Sequence, residues 1–412
     1  MIKIITSRAG YGKTSSLYKE ILEKDKNAEV AYLMVPEQFT LQSELALMDK
    51  VDSKGLIYAQ VMSFERLSRL VLSRVGGLKR PYIDEIGKHM ALRLIFDKHE
   101  DSLPMYKTAY KKEGFLSELS HTLSELKKMA VPPSLLLDKS NQIENNALLK
   151  QKLFEIGFIY NEFLNYMQDQ YIDNEDRISL LAEKINLYKE ISNASFYFDS
   201  FTGFTALELS VIEQLAQMGT SLCFALTYDE TSADKDVFSP TSLTINQLKT
   251  IAKATGSEFE IEALVNESTK SKEIRYIEKA LYDYKAPSYK EEINDVKLFE
   301  ALDMEKEAEH CALEVLSLVR DFGYRFKDIL IITPMPHLYA GPISRVFTRL
   351  EIPHFIDVKR DIMSSPLITL IFSYLDMHIK NLRYEDVFSF LKSGFTQLDE
   401  RQYMPLENFV LK

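Results

Sequence analysis

Apolar runs and helical patterns alternate along the first 80 residues of the chain. Three short apolar runs are each followed by a turn or by polar residues: IKIIT (2–6), VAYLMV (30–35) and IYAQVM (57–62). Apolar residues at helical spacing occupy the segments 15–24, 41–48 and 64–75. Buried strands that alternate with helices are typical of a parallel sheet, so the pattern predicts an α/β fold.

The pattern changes over residues 81–189. Long amphipathic stretches dominate, and the clear breaks are Pro104 and the pair Pro132 and Pro133. We therefore expect an all-helical insertion, with helices over 86–98, 115–129, 146–171 and 177–188. The apolar runs SFYFD (195–199) and SLCFALT (221–227) then return the chain to the first sheet. The polar segment 229–272 is predicted to be a mobile loop followed by a helix.

A second α/β pattern begins near Val296. KLFEAL, DILIIT and IPHFID are predicted strands, separated by helices over 306–322 and 343–350. The chain ends within a helical pattern, so we expect it to be part of a longer protein. The predicted domains are a P-loop (RecA-like) domain over 1–80 and 190–285, the helical insertion over 81–189, the first part of a second RecA-like domain over 286–380, and the start of a further helical domain over 381–412.

Composition narrows the class of protein. The chain is 46% hydrophobic and 27% charged, without an apolar run long enough for a membrane helix, which predicts a soluble cytoplasmic protein. Its two cysteines, Cys223 and Cys311, lie far apart, which excludes a cysteine-based zinc or iron–sulfur site within this chain. The net charge of -11 argues against a uniformly basic nucleic-acid-binding surface, although a local groove remains compatible with it.

The stretch SRAGYGKTS (7–15) follows the first predicted strand and opens the first predicted helix. A P-loop needs glycines that let backbone N–H groups face phosphate, a lysine that reaches the β and γ phosphates, and a hydroxyl for Mg²⁺. The first glycine of the usual pattern is Ser7 here, while the remaining positions match. The predicted nucleotide-binding residues are Ala9, Gly10, Tyr11, Gly12, Lys13, Thr14 and Ser15.

The predicted strand 195–199 ends in Asp199, which together with Thr14 is the predicted Mg²⁺ site of an ATP complex. Ser200 follows, where a hydrolysing P-loop motor carries a glutamate that positions water. The next acid along the chain is Glu208. We therefore expect ATP to bind with hydrolysis impaired or absent, and we assign no catalytic residue.

The order of motifs resembles superfamily 1 helicases of the UvrD/RecB type. Within that group, five stretches closely resemble the AddB family, the helicase-like subunits of bacterial AddAB helicase–nucleases, over essentially the whole chain. These stretches are VPEQFTLQSEL (35–45), VMSFERL (61–67), RPYIDEIGKHMALR (80–93), FDSFTGFTALE (198–208) and LRYEDVFSFLKSGF (382–395). DSFTGFT stands where the helicases have D-E-x-Q-D, and ITPMPH (332–337) has prolines where they have an arginine that senses the γ-phosphate.

The resemblance implies a motor that has lost its drive, in a complex repairing double-strand DNA breaks. The family's partner AddA pumps the DNA, while the AddB surface guides the 3′-terminated strand and scans it for Chi. Single-stranded and duplex-end DNA would be its ligands, and no membrane is involved. An iron–sulfur nuclease domain would lie in a C-terminal part beyond this chain, whose parent would be an ATP-dependent deoxyribonuclease subunit. Carried over by position, the DNA-binding residues are Gln38, Thr40, Phe64, Arg66, Arg69 and Phe204, with Phe201 as the alternative to Phe204.

General physical arguments support the same surface. Loops at the carboxyl ends of parallel strands are where ligands bind, and both PEQFT and SFERL follow predicted strands. Aromatic rings stack on bases, and arginine contacts phosphate or guanine. The alternatives remain open: Phe64 would otherwise be a core residue, and Arg66 a solvated helix charge.

Three functions compete. The first is a non-catalytic subunit that guides and scans DNA. The second is an active ATP-driven DNA helicase whose water-positioning glutamate comes from elsewhere in the fold. The third is a P-loop phosphotransferase, which the long helical insertion and the second α/β pattern disfavour. Ser200 separates the first from the second, and we expect the first.

Overall fold

The structure is a computed structural model that describes residues 1–51, 55–168, 170–232, 236–264, 270–281, 283, 285–358, 362–363 and 365–411. The chain forms two compact units, residues 1–296 and 297–412. Parts of the predicted loop within 229–272 lie outside the described residues. Each helix of the described ranges is too short or too polar to cross a lipid bilayer.

A six-stranded parallel sheet forms the centre of the first unit. Its strands are β1 (Ile2–Ser7), β2 (Ala31–Met34), β3 (Ala59–Met62), β4 (Ser195–Phe198), β5 (Ser221–Thr227) and β6 (Phe259–Ala263). Their spatial order is β3-β2-β4-β5-β1-β6. The α/β prediction for this part of the chain is confirmed. Because all strands run the same way, the loops that follow them meet at one carboxyl edge of the sheet.

Helices cover both faces of this sheet and form the helical part between β3 and β4. They are α1 (Lys13–Lys26), α2 (Thr40–Met48), α3 (Phe64–Val75), α4 (Glu85–His99), α5 (Glu113–Lys128), α6 (Pro133–Gln142), α7 (Ala147–Met167), α8 (Asn174–Lys184), α9 (Ala206–Gln217), α10 (Ser239–Thr255) and α11 (Lys272–Ala280). One face buries Leu17 and Ile21 of α1 against Ile5 and Leu33. The other buries α3, α8, α9 and α10 against Phe196 and its neighbours.

The helices α4, α5 and α7 enclose an apolar core of their own, which includes Phe96 and Phe163. Helix α8 instead buries Leu181 in the core against the sheet. The chain crosses between the two cores twice, and the crossings pair: Ile83 N–H donates to Ile172 O, and Ile172 N–H donates to Pro81 O, both at 3.0 Å. The predicted domain boundaries at 80 and 189 stay predictions.

Strand β6 lies within the polar segment where the sequence predicted a loop and a helix. Its residues FEIEA alternate apolar and acidic side chains, and the strand pairs only with β1, in parallel, among the described residues. An edge strand exposes one side, so it does not need the continuous apolar run used to recognise the other strands. The alternation was the signal that could have located it.

The second unit contains α12 (Met304–Phe322), α13 (Pro336–Arg349), α14 (Pro366–Ile379), α15 (Tyr384–Leu391) and α16 (Glu400–Val410). The prediction of a second parallel sheet is wrong for this structure: the segments 297–302, 328–333 and 352–357 form no paired strand. Leu330, Ile332 and Phe355 are 81%, 84% and 89% exposed. An apolar run becomes a strand only when neighbouring strands accept its backbone hydrogen bonds and cover its faces, which these segments lack here.

Candidate functional site

The glycine loop joins β1 to α1 through two residues with left-handed backbone. Gly10 has φ 86° and Gly12 has φ 88°, a region where a residue with a Cβ is strained. Gly12 is also the N-cap of α1 and supplies no side-chain hydrogen bond to the helix. The backbone N–H groups that open α1 therefore face a ligand without competition from a capping side chain, and the helix dipole favours an anion there.

Lys13 lies folded over this loop. Its Nζ donates to the carbonyl oxygens of Ser7 and Arg8, at 2.8 and 2.9 Å. Burial lowers the pKa of Lys13, while the charges of Asp199 and Glu278 oppose that shift. These hydrogen bonds keep the ammonium group at the loop, from which it can be transferred to a bound phosphate.

Asp199 brings a carboxylate to the same loop from the end of β4. The residue is 5% exposed, and its backbone N–H donates to Met34 O at 3.0 Å. Burial raises its pKa, against hydrogen bonds from the Thr14 hydroxyl and the Ser200 N–H and the charge of Lys13. Although β5 separates β4 from β1, the carboxylate reaches the first turn of α1. The predicted nucleotide residues Lys13 and Thr14 and the predicted metal residue Asp199 are thus brought together.

The residues after Asp199 do not supply a second free acid. Ser200 is exposed and has a left-handed backbone, with φ 65°. Glu208 forms a capping box at the start of α9: its Oε2 accepts from Thr205 N at 2.8 Å, and its own N–H donates to the Thr205 hydroxyl at 3.3 Å. Its carboxylate is therefore engaged in starting a helix, and it is not free to activate a water molecule.

The neighbouring part of the carboxyl edge carries the residues predicted to contact DNA. Gln38 is exposed in the turn after β2. Thr40 and Phe64 are each only 4% exposed, and the Thr40 hydroxyl donates to Glu37 O at 2.9 Å. The predicted stacking of Phe64 on a base and the predicted DNA contact of Thr40 are corrected here, because neither side chain reaches solvent. The helical register of Phe64, Leu67 and Val71 was the signal for a core position.

Phe64 instead supports an aromatic cluster. Its ring centroid lies 6.0 Å from that of Phe201 and 6.4 Å from that of Phe204, both edge-on. Phe201 and Phe204 lie 4.8 Å apart and are half-buried. The predicted DNA contact Phe204 therefore keeps an accessible face, with Phe64 beneath it.

The two predicted arginines are on the surface and paired with carboxylates. Arg66 Nη1 donates to Glu44 at 2.5 Å, and its side chain is 39% exposed. Arg69 Nη2 donates to Glu65 at 2.5 Å, and its side chain is 61% exposed. Exposed ion pairs of this kind are worth about 0–1 kcal/mol, so either arginine can exchange its carboxylate for a phosphate at little cost.

Sequence reasoning missed Arg8, the second residue of the glycine loop. Its guanidinium pairs with Asp229 after β5 and Glu278 in α11. No sequence pattern could have identified this set, because its members are 221 and 270 residues from Arg8. An open cavity of about 1090 Å³ borders the loop on this side, lined by Arg8, Tyr11, Tyr228 and Tyr276 among others.

A comparison with known proteins agrees with this geometry. The family model described as "ADDB, N-terminal" matches residues 4–278. The chain belongs to this family. The family resemblance stated from the sequence is thereby confirmed.

Similar curated proteins share one name, that of the second subunit of an "ATP-dependent helicase/deoxyribonuclease". The chain is 38% identical to those of Alkaliphilus metalliredigens and Alkaliphilus oremlandii, and 35% identical to that of Thermoanaerobacter sp. strain X514. Each alignment covers 100% of this chain and 36% or 37% of the relative. The chain therefore spans about a third of the length of these relatives, and corresponds to the part that the ADDB family model calls N-terminal.

Proposed function

We propose that this chain is the helicase-like region of a helicase–nuclease subunit acting in double-strand DNA break repair, which binds ATP–Mg²⁺ without efficient hydrolysis. The observation that carries the proposal is the meeting of Lys13, Thr14 and Asp199 at the glycine loop, while Ser200 stands after Asp199. The names of the relatives support a helicase–nuclease context. The cytoplasm is the compartment in which such a protein would work.

The loop supports ATP binding through three kinds of contact. The N–H groups of residues 9–15 face the phosphates, and Lys13 leaves Ser7 O and Arg8 O to bind them. The Thr14 hydroxyl and the Asp199 carboxylate are both oxygen donors, which suit Mg²⁺, and the hydrogen bond between them holds them side by side. The cavity of about 1090 Å³ beside the loop has room for the nucleoside.

The same residues argue against fast turnover. Hydrolysis needs a group that positions the attacking water, and such a group is worth orders of magnitude in rate. The Ser200 hydroxyl is a weak substitute, and Glu208 is held by Thr205. Bound Mg²⁺ supplies charge neutralisation of the phosphates, but this chain offers no second acid beside it among Asp199 to Glu208.

The DNA-facing role rests on Gln38, Arg66, Arg69 and Phe204. Gln38 and the arginines are wholly or partly exposed, and Phe204 is half-buried over its aromatic support. We propose that these side chains guide a 3′-terminated single strand and scan it for Chi while the partner AddA moves the duplex end. Phe64 and Thr40 contribute as buried supports.

Nucleotide binding is tested on the full chain by titration with ATP–Mg²⁺, beside a turnover assay with and without single-stranded DNA. We expect binding, turnover at least about a thousandfold below that of an active motor, and loss of binding in Lys13→Ala. The matched control is Lys19→Ala, which removes an exposed lysine further along α1. DNA-stimulated turnover that disappears in Lys13→Ala would instead establish the active helicase.

The DNA role is tested in the complex with AddA by Arg66→Ala. A base contact predicts normal unwinding with a lost response to Chi, and we expect this result. A phosphate contact predicts weaker binding to all DNA with a smaller salt dependence. If both unwinding and the Chi response stay normal, Arg66 has no role in recognition.

A further inference from the structure

The side chain of Arg8 leaves the glycine loop and binds two distant acidic residues. Its Nε donates to both carboxylate oxygens of Glu278, at 3.1 and 2.8 Å, and its Nη2 donates to the backbone oxygen of Glu278 at 2.9 Å. Its Nη1 donates to Asp229 Oδ2, also at 2.9 Å. The guanidinium lies over the ring of Phe238, 5.3 Å from the centroid. The guanidinium is therefore held at its edge by both acidic residues and on one face by an aromatic ring.

The burial of this set separates it from the ordinary ion pairs of the surface. The side chains of Arg8, Asp229 and Glu278 are 13%, 20% and 22% exposed. In contrast, Lys272 and Glu291 form an ion pair with side chains 67% and 60% exposed. Multidentate, partly buried arginine–carboxylate pairs hold geometry, whereas exposed pairs contribute little.

We propose that Arg8 is a positioning residue of the nucleotide site, which holds the entry of the glycine loop in its binding shape through Asp229 and Glu278. The inference deepens the proposed nucleotide binding and rests on it. The backbone of Ser7 and Arg8 carries the two carbonyl oxygens on which Lys13 rests. Anchoring the Arg8 side chain fixes those oxygens, and with them the start of the loop whose N–H groups face the phosphates.

The anchor also joins three segments that the sequence separates. Arg8 follows β1, Asp229 follows β5, and Glu278 lies in the last turn of α11. Because β1 lies between β5 and β6 in the sheet, the loop has neighbours on both sides, and Arg8 is tied to α11 as well as to the end of β5. A preorganised loop loses less conformational entropy on binding, which raises affinity without a contact to the ligand.

The competing role for Arg8 is a direct phosphate ligand that leaves its carboxylates when ATP arrives. The two roles give opposite signs in Glu278→Gln. If Arg8 positions the loop, loss of the charged bidentate contact loosens the loop and weakens ATP binding. If Arg8 binds phosphate itself, Glu278→Gln frees the arginine and removes a negative charge near the ligand, so ATP binding stays the same or becomes tighter.

The first experiment needs no nucleotide. Amide hydrogen exchange over residues 7–13 is measured in the nucleotide-free full chain for the wild type, Arg8→Gln and Glu278→Gln, with Lys272→Gln on the same helix as control. We expect exchange at least about threefold faster in both test variants and no change in the control. Unchanged exchange in Arg8→Gln overturns the positioning role, whatever the chain does with ATP.

The second experiment measures affinity for ATP–Mg²⁺ and for ADP. We expect Arg8→Gln to weaken both nucleotides by a similar factor of about ten, the lower end of what the loss of a supporting residue costs at a metal site. Arg8→Lys should fall between Arg8→Gln and the wild type, and Glu278→Gln should weaken binding at least about twofold, a small part of a charged hydrogen bond.

Two results separate the possible failures. A loss confined to ATP, or tighter binding in Glu278→Gln, would show that Arg8 contacts the γ-phosphate and that the positioning role is wrong. A wild-type chain that binds neither nucleotide would disprove the proposed nucleotide binding itself, while the exchange measurement would still report on the anchor.

Discussion

Two stretches of the same carboxyl edge differ in what builds them. Around β1 and β4, the site is made of backbone conformation at Gly10 and Gly12, with Lys13 and Asp199 aimed at one point. Around β2 and β3, the candidate site depends on which faces of side chains reach solvent, and there Phe64 is buried. Both stretches follow parallel strands, yet only the first has a geometry that the strand–turn–helix order itself requires.

This contrast shows how far a motif carries. A glycine loop is a local structure, because its ligand groups are N–H donors of consecutive residues. A DNA-facing strip is a surface, and its members are chosen by packing between α3, β3 and the loop after β4. Ion pairs such as Arg66 with Glu44 add a further choice that only the folded surface makes. Four measurements test the contrast, and their expected effects decrease from the first to the last.

The largest effect should come from Phe64→Ala. The ring is buried against Phe198, Phe201 and Phe204, so its removal should lower the free energy of unfolding by about 3–5 kcal/mol. Denaturant titration measures this loss. Leu41→Ala is the control, since Leu41 is 64% exposed and its loss should be nearly neutral. A stable Phe64→Ala variant with selectively weakened DNA binding would show that Phe64 stacks on DNA after all, and the contrast between the two stretches would disappear.

The second measurement is the pH dependence of ATP affinity. The pKa of Lys13 is lowered by burial, and protonated Lys13 is the form that attracts phosphate. Affinity should therefore fall as the pH rises, by up to about tenfold, and the fall should begin below the range in which an exposed lysine titrates. Lys13→Arg keeps its charge and should move the fall to higher pH. An affinity that stays flat to the alkaline limit of stability would mean that Lys13 does not bind the phosphates.

The third measurement is Asp199→Asn. The pKa of Asp199 is raised by burial, so its ionised form costs stability, and that cost appears as the pH rises from the unfolded-state pKa through the folded-state pKa. Without nucleotide at neutral pH, the variant should melt about 1–3 °C higher than the wild type. The same variant should bind ATP with little dependence on Mg²⁺. A lower melting temperature, or an intact Mg²⁺ dependence, would remove Asp199 from the site.

The smallest effect should come from Arg69→Ala in the absence of DNA. Arg69 pairs with Glu65 on an exposed helix face, and such pairs are worth about 0.3–0.5 kcal/mol. Denaturant titration should therefore hardly distinguish the variant from the wild type. In the complex with AddA, any change should appear in DNA binding instead. A stability loss above about 1 kcal/mol would place Arg69 in a structural role.

The parts of the molecule that rest on local rules could be predicted from the sequence. IKIIT, the glycine turn and the helix from Lys13 follow from apolar runs, positive-φ glycines and helical spacing, and the structure has them where the pattern predicts. Asp199 at the end of SFYF was readable for the same reason, because the carboxyl end of a buried strand fixes where its next residue lies. Ser200 was visible as a substitution in a known order of motifs.

The features that depend on distant partners appeared only in the folded chain. DILIIT and IPHFID carry strand patterns but are unpaired here, because a strand needs neighbours for its hydrogen bonds, whereas FEIEA became β6 by pairing with β1. Phe64 was turned into a core residue by the rings around it. Arg8 met Glu278 across 270 residues because β1 and α11 came together in space, a relation that no local pattern encodes.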